Sequence, residues 1–185
     1  MFIQTEPTPN PATLKFIPGE AVLAEGSADF ADAGQAGRSP LARDLFEIDG
    51  VTRVFLGTDF ISVSKADEQS WQVLKPSVLG AIMEHFTAGR PMLLEGDGAD
   101  EEGSYDAADS EVVAQIKELL DTRVRPAVAQ DGGDIVFRGF DEGVVYLHMQ
   151  GACAGCPSST ATLRMGIENM LRHYVPEVLA VRPVP

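Results

Sequence analysis

The chain's two cysteines, Cys153 and Cys156, stand three positions apart in the stretch GACAGCP, residues 151–157. At i and i+3 in a loop, both sulfurs can converge on one atom. Metal sites, iron–sulfur clusters and redox dithiols share that geometry. Pro157 followed by Ser158 and Ser159 reads as a helix start, which puts Cys156 at an N-terminal end. Unpaired N–H groups and the helix dipole favour a thiolate there. Gly151 and Gly155 let the loop backbone approach a ligand closely. Three uses of the pair stay open. A thioredoxin-like redox pair normally follows the first strand of a βαβ unit, whereas this one follows a hairpin, and the single Trp, Trp71, is remote in sequence. A zinc site needs further ligands, and His85, His148 and His173 lack finger-like spacing and read as surface or partly buried side chains. An iron–sulfur cluster usually takes four thiolates. One chain supplies half of that set, so two chains could close one site across a two-fold axis, which also fits a zinc-bridged dimer. A cluster shared in this way should be labile, and lability suits transfer better than electron transport.

The elements around the loop are legible. Ser110 reads as the cap of a helix whose apolar face is Val112, Val113, Ile116, Leu119, Leu120 and Val124. Pro126 kinks or ends it. Asp131-Gly132-Gly133-Asp134 reads as a turn with positive φ at glycine rather than as a cluster contact. Ile135 to Phe140 and Val144 to Met149 form a predicted hairpin, followed by the cysteine loop, a helix from Ser158 to His173 and a short strand over Val178 to Val181. Met149 and Met165 read as packing residues, and Arg164 and Arg172 as a solvated helix face. The N-terminal half predicts short strands over Phe2–Thr5 and Thr13–Ile17 and a loop over 24–37. A helix begins at Ser39-Pro40, a hairpin spans Val51 to Ser64, and a helix runs from Pro76 to Thr87 and ends at Gly89.

Charge separates the two halves. Of 28 acidic and 14 basic side chains, giving −14, residues 1–90 hold 12 and 7 and residues 112–185 hold 8 and 7. The stretch from Pro91 to Glu111 has 8 acids and no Lys or Arg. It reads as a hydrated, self-repelling linker. The sequence therefore predicts two small α+β domains, residues 1–90 and 110–185, joined by an acidic flexible linker over 91–109. The acidic balance argues against nucleic acid and against anionic membrane surfaces, and no apolar run is long enough to span a bilayer. No signal or transit peptide is read at Met1-Phe2-Ile3, which favours a bacterial cytoplasmic protein, with the mitochondrial matrix as the place of a processed organellar form. Nothing assembles a nucleophilic triad or a phosphate-binding glycine loop, so no enzyme is expected.

At GACAGCPSST, residues 151–160, the chain resembles the C-terminal domain of the NifU family, the Nfu-type iron–sulfur scaffold and carrier proteins. The likeness extends through RPAVAQDGGDIVF (125–137) and TLRMGIENMLRHYVPEV (162–178). The opening MFIQTEPTPNPATLKFIPG (1–19) is similar to the separate Nfu N-terminal domain. This resemblance implies a [4Fe-4S] cluster, with [2Fe-2S] as a second form, held between two subunits by Cys153 and Cys156 of each. It implies a homodimer on cluster binding, an upstream assembly scaffold as donor, and apo-proteins such as aconitase-like and lipoyl-synthase-like enzymes as recipients. The cysteine-free N-terminal domain then has a non-ligating role. A thiol–disulfide redox protein and a zinc-bridged structural dimer are the alternatives.

Overall fold

A computed structural model describes the backbone of residues 2–94, 104–154 and 157–184, with side chains for these apart from 104 and 157–160. The chain divides into two compact units, Met1–Gly98 and Ala99–Pro185. Each is α+β. The acids Glu95, Asp97, Asp100, Glu101 and Glu102 of the expected linker lie outside the described residues.

In the N-terminal unit, strands β1 (Gln4–Pro7), β2 (Thr13–Ile17), β3 (Ala28–Phe30), β4 (Val51–Leu56) and β5 (Ile61–Lys65) form an antiparallel sheet in the order β1-β2-β5-β4-β3. Alternation along the strands puts Phe16, Val54, Leu56, Ile61 and Val63 on one face. There they pack with Leu41 and Leu45 of helix α1 (Pro40–Phe46) and Val78 and Ile82 of helix α2 (Trp71–Ala88). Each side chain buried this way stabilises the unit by about 1.5–3 kcal/mol over exposure to water. Ser39 caps α1 as expected, its Oγ accepting from Ala42 N at 3.1 Å.

Two expectations for this unit need correction. Residues 24–37 are not all loop: β3 is a three-residue edge strand, and Ala33–Arg38 form a 3-10 helix. Helix α2 begins at Trp71, capped by Ser70, rather than at Pro76, which lies inside it. Pro76 only withholds an N–H from the carbonyl four residues back. The earlier start is favoured by burial of Leu74 and by the edge-to-face contact of Trp71 with Phe16, ring centroids 6.3 Å apart.

In the C-terminal unit the sheet order is β6 (Ser104–Tyr105), β7 (Gly133–Asp141), β8 (Val144–Gly151), β9 (Ala180–Val184). β7 and β8 form the predicted hairpin, turning at Glu142 (φ 47°) and Gly143 (φ 81°). β9 returns parallel to β8 through helix α5 (Pro157–Tyr174), the crossover that parallel neighbours require. The preceding helical stretch is α3 (Ser110–Leu119), a π-type turn over Leu120–Val124, and α4 (Arg125–Gln130). Pro126 therefore neither ends the helix nor merely bends it. The wider turn before it absorbs the missing N–H. Asp109 rather than Ser110 occupies the cap position. Val113, Ile116, Leu120, Ile135, Leu147, Ile167 and Leu171 form the core between helices and sheet. β6 lies within 91–109, the stretch read as flexible linker, and corrects that reading at Ser104–Tyr105, where two residues carry no periodicity of their own. Among the described residues, no helix is long and apolar enough to cross a membrane.

Candidate functional site

The β7–β8 register places Gly133 opposite Gly151 and Asp134 opposite Gln150. The open end of the hairpin thus brings the turn that starts β7 against the loop that follows β8. Hydrogen bonds at both of its described ends hold the loop. Ala154 N donates to Gly151 O at 3.1 Å, and Ala152 N reaches across to Gly132 O, also at 3.1 Å. Gly132 and Gly151 have φ of 80° and 62°, in the left-handed region that side chains with a Cβ avoid. The loop then runs into the N-terminus of α5 at Pro157.

Cys153 sits in this loop with 7% exposure, in the same core as Ile135, Met149 and Ile167. Its thiol lies where a side chain on Gly133 would go. A Cβ built there falls 2.5 Å from Cys153 Sγ, 2.8 Å from Gln150 O and 3.0 Å from Cys153 N. The second glycine of the turn is therefore a matter of space, and the first a matter of backbone conformation. Cys156 and Gly155 lie outside the described residues.

Next to Gly133, the Asp134 carboxylate is held by Arg125 in a two-pronged pair, Nε to Oδ1 and Nη2 to Oδ2, both 2.9 Å. Asp134 Oδ1 also accepts from Ile135 N at 2.8 Å. Hydrogen bonding to Asp134 pushes the Arg125 guanidinium pKa further up, so it stays charged throughout the useful pH range. Gly133, Arg125 and Asp134 are the site residues that sequence reasoning missed. The available signal was the doubled glycine: a turn alone needs one positive φ, so the second pointed to crowding.

The remaining side chains singled out in the sequence fall elsewhere. Met149 is in the core, but Met165 is 60% exposed on α5, contrary to its reading as a packing residue. Arg172 is exposed and lies 4.0 Å from Glu168. His148 Nδ1 is 3.3 Å from Val184 O, and His173 stacks edge-on to Tyr174. His85, in the N-terminal unit, is fully buried rather than superficial, and neither ring nitrogen has a hydrogen-bond partner among the described residues.

Residues 3–89 match the family model described as the N terminal of scaffold protein Nfu/NifU, and residues 116–182 match the NifU-like domain. The chain is 54% identical to "NifU-like protein 4, mitochondrial" of Arabidopsis thaliana, over 98% of this chain and 65% of that protein. It is 53% identical to "NFU1 iron-sulfur cluster scaffold homolog, mitochondrial" of Homo sapiens, over 100% of this chain and 72% of that one. Among solved structures, a NifU-like protein of Saccharomyces cerevisiae superposes with a TM-score of 0.47 at 23% identity, over 52% of this chain and 87% of that one. With both domain models matched in order and more than half of its residues shared with relatives of which it covers 65% and 72%, the chain belongs to the Nfu/NifU scaffold-protein family.

Proposed function

We propose that this chain is an iron–sulfur cluster carrier: two copies hold one [4Fe-4S] cluster through Cys153 and Cys156 of each and pass it to apo-proteins. The observation that carries the reading is the seating of the cysteine loop, in the NifU-like segment, on the β7–β8 hairpin beside Gly132 and Gly133. Two thiolates per chain are half of the usual donor set, so the partner copy completes it. Transfer is ligand exchange, in which each client thiolate that bonds iron releases one cysteine of the carrier. At 7% exposure, Cys153 must turn out of its seat at Gly133 to ligate, which suits a site that loads and unloads. The carrier exchanges only its iron–thiolate bonds and converts no substrate, so in this reading it acts as a scaffold rather than an enzyme.

Residues 1–90 and 110–185 act as separate domains in this account, with the acidic stretch 91–109 as the connection, of which Ser104–Tyr105 pair with β7 and so belong to the C-terminal sheet. The N-terminal domain serves recognition of the upstream donor or of clients without ligating iron. For location, the relatives' names, which read "mitochondrial", support the organellar alternative over the bacterial cytoplasm expected first.

Anaerobic reconstitution with iron and sulfide tests the function. The carrier should take up about four irons and four sulfides per pair of chains, with broad visible absorption, and then activate an apo-enzyme stoichiometrically. A colourless monomer that reduces insulin disulfides would instead identify a redox dithiol, and a pair bridged by zinc alone a structural dimer.

A further inference from the structure

The turn that shelters Cys153 is itself anchored from the helical side of the unit. Arg125 reaches Asp134 because the π-type turn over Leu120–Val124 precedes it. One extra residue in a helix rotates everything after it by about 100°. Asp121 Oδ1, one turn back, accepts from Arg125 Nη1 at 3.1 Å, so the guanidinium is fixed between two carboxylates. The Asp134 side chain is only 8% exposed. A carboxylate this deeply buried is tolerated while it is paired, and losing the guanidinium makes it either take up a proton or shift toward water, both of which loosen its hold on the turn. Gly133 is its immediate neighbour, and the space at Gly133 is where the Cys153 thiol rests.

We propose that the Arg125–Asp134 pair is the positioning device for Cys153, a role that rests on the carrier function above: it holds the Gly132–Gly133 turn so that the thiol stays seated until a cluster is loaded. The relay is short. The ion pair fixes Asp134, Asp134 fixes Gly133, and Gly133 and the bond from Ala152 N to Gly132 O fix the loop.

The test is alkylation of Cys153 in the folded, reduced full-length chain by iodoacetamide at one pH, followed by peptide mass spectrometry, with thermal midpoints measured alongside. Arg125→Met should raise the Cys153 rate by roughly tenfold or more, the scale of a lost charge-assisted hydrogen bond. Arg125→Lys, which keeps the charge and loses the fork, should fall between that variant and wild type. Val145→Ala is the control. Val145 is buried in the same core and pairs with Phe140, toward the closed end of the hairpin, so it lowers stability without touching the turn. Its Cys153 rate should stay within about twofold of wild type, far below the change expected for a lost charged bond. The proposal is overturned if Arg125→Met leaves Cys153 as protected as before, or if Val145→Ala exposes it equally. Should Arg125→Met fail to fold, Arg125→Lys against Val145→Ala decides in the same way. No cluster enters this experiment. A wild-type chain that takes up no iron therefore refutes the carrier function, whereas unchanged alkylation refutes the positioning pair.

Discussion

In the N-terminal unit Arg53 of β4 grips Asp29 of β3, with Nε 2.9 Å from Oδ1 and Nη2 on Oδ2. In the C-terminal unit Arg125 grips Asp134 with the same fork. Both aspartate side chains are nearly buried, at 7% and 8% exposure. The Asp29 pair joins neighbouring strands and staples a three-residue edge strand whose Ala28 and Phe30 are already buried in the core. The Asp134 pair joins a helix to the first turns of a strand, one residue from the seat of a cysteine. One chemistry thus serves the fold in one unit and the site in the other, and what it adjoins decides which.

The sharpest break in that comparison is at the cysteine. Cys153→Ser should cut iron uptake by at least about tenfold, at a stability cost of about 1–3 kcal/mol for a buried hydroxyl. Iron analysis and far-UV circular dichroism in denaturant read the two effects separately.

Glycines sharpen it next. Gly133→Val drives a side chain into Cys153 Sγ and the Gln150 carbonyl. It should destabilise the C-terminal unit by about 2–3 kcal/mol, as overpacking does. Gly80→Ala on α2 meets nothing within 4 Å and should stabilise the N-terminal unit by about 0.5–1 kcal/mol through helix propensity alone. Denaturation followed by Trp71 fluorescence reports the second change, and circular dichroism the first.

The cysteine spacing, the hairpins and the helix after the cysteine loop could be read from sequence because each is local: a fixed spacing, a turn pair, an apolar face. The parallel pairing of β9 with β8 is not local and was not read. Asp29 was lost in a run of Ala, Gly and Asp because a three-residue strand exists only through its pairing with β4. Pro76 misled because proline is common in the first helical turn, and only the packing of Trp71 on Phe16 shows the helix already under way. Arg125 and Asp134 lie nine residues apart on different elements. No periodicity predicts their meeting, since it depends on a π-type turn that propensity does not encode.

A smaller effect separates the units by pH. Burial, followed by the charge of Arg90, holds the His85 pKa below its ordinary value of 6.5, while Asp44 opposes this more weakly. The Arg90 backbone also favours protonation slightly, without hydrogen-bond geometry. The unfolded chain therefore takes up this proton first as pH falls. The stability contribution is fully present above about pH 6.5 and is lost below it, with a slope of at most about 1.4 kcal/mol per pH unit. Denaturation midpoints followed by Trp71 at about pH 7.5 and pH 5 should differ in the wild type, and His85→Leu should reduce that difference. An equal difference in both proteins would remove His85 from the account.

Native mass spectrometry of the anaerobically reconstituted chain tests the central claim most directly. The predicted species is two chains carrying about four irons and four sulfides between them, lost together with the dimer in Cys153→Ser. A single chain retaining a complete cluster, or a dimer of Cys153→Ser that still holds one, would contradict it.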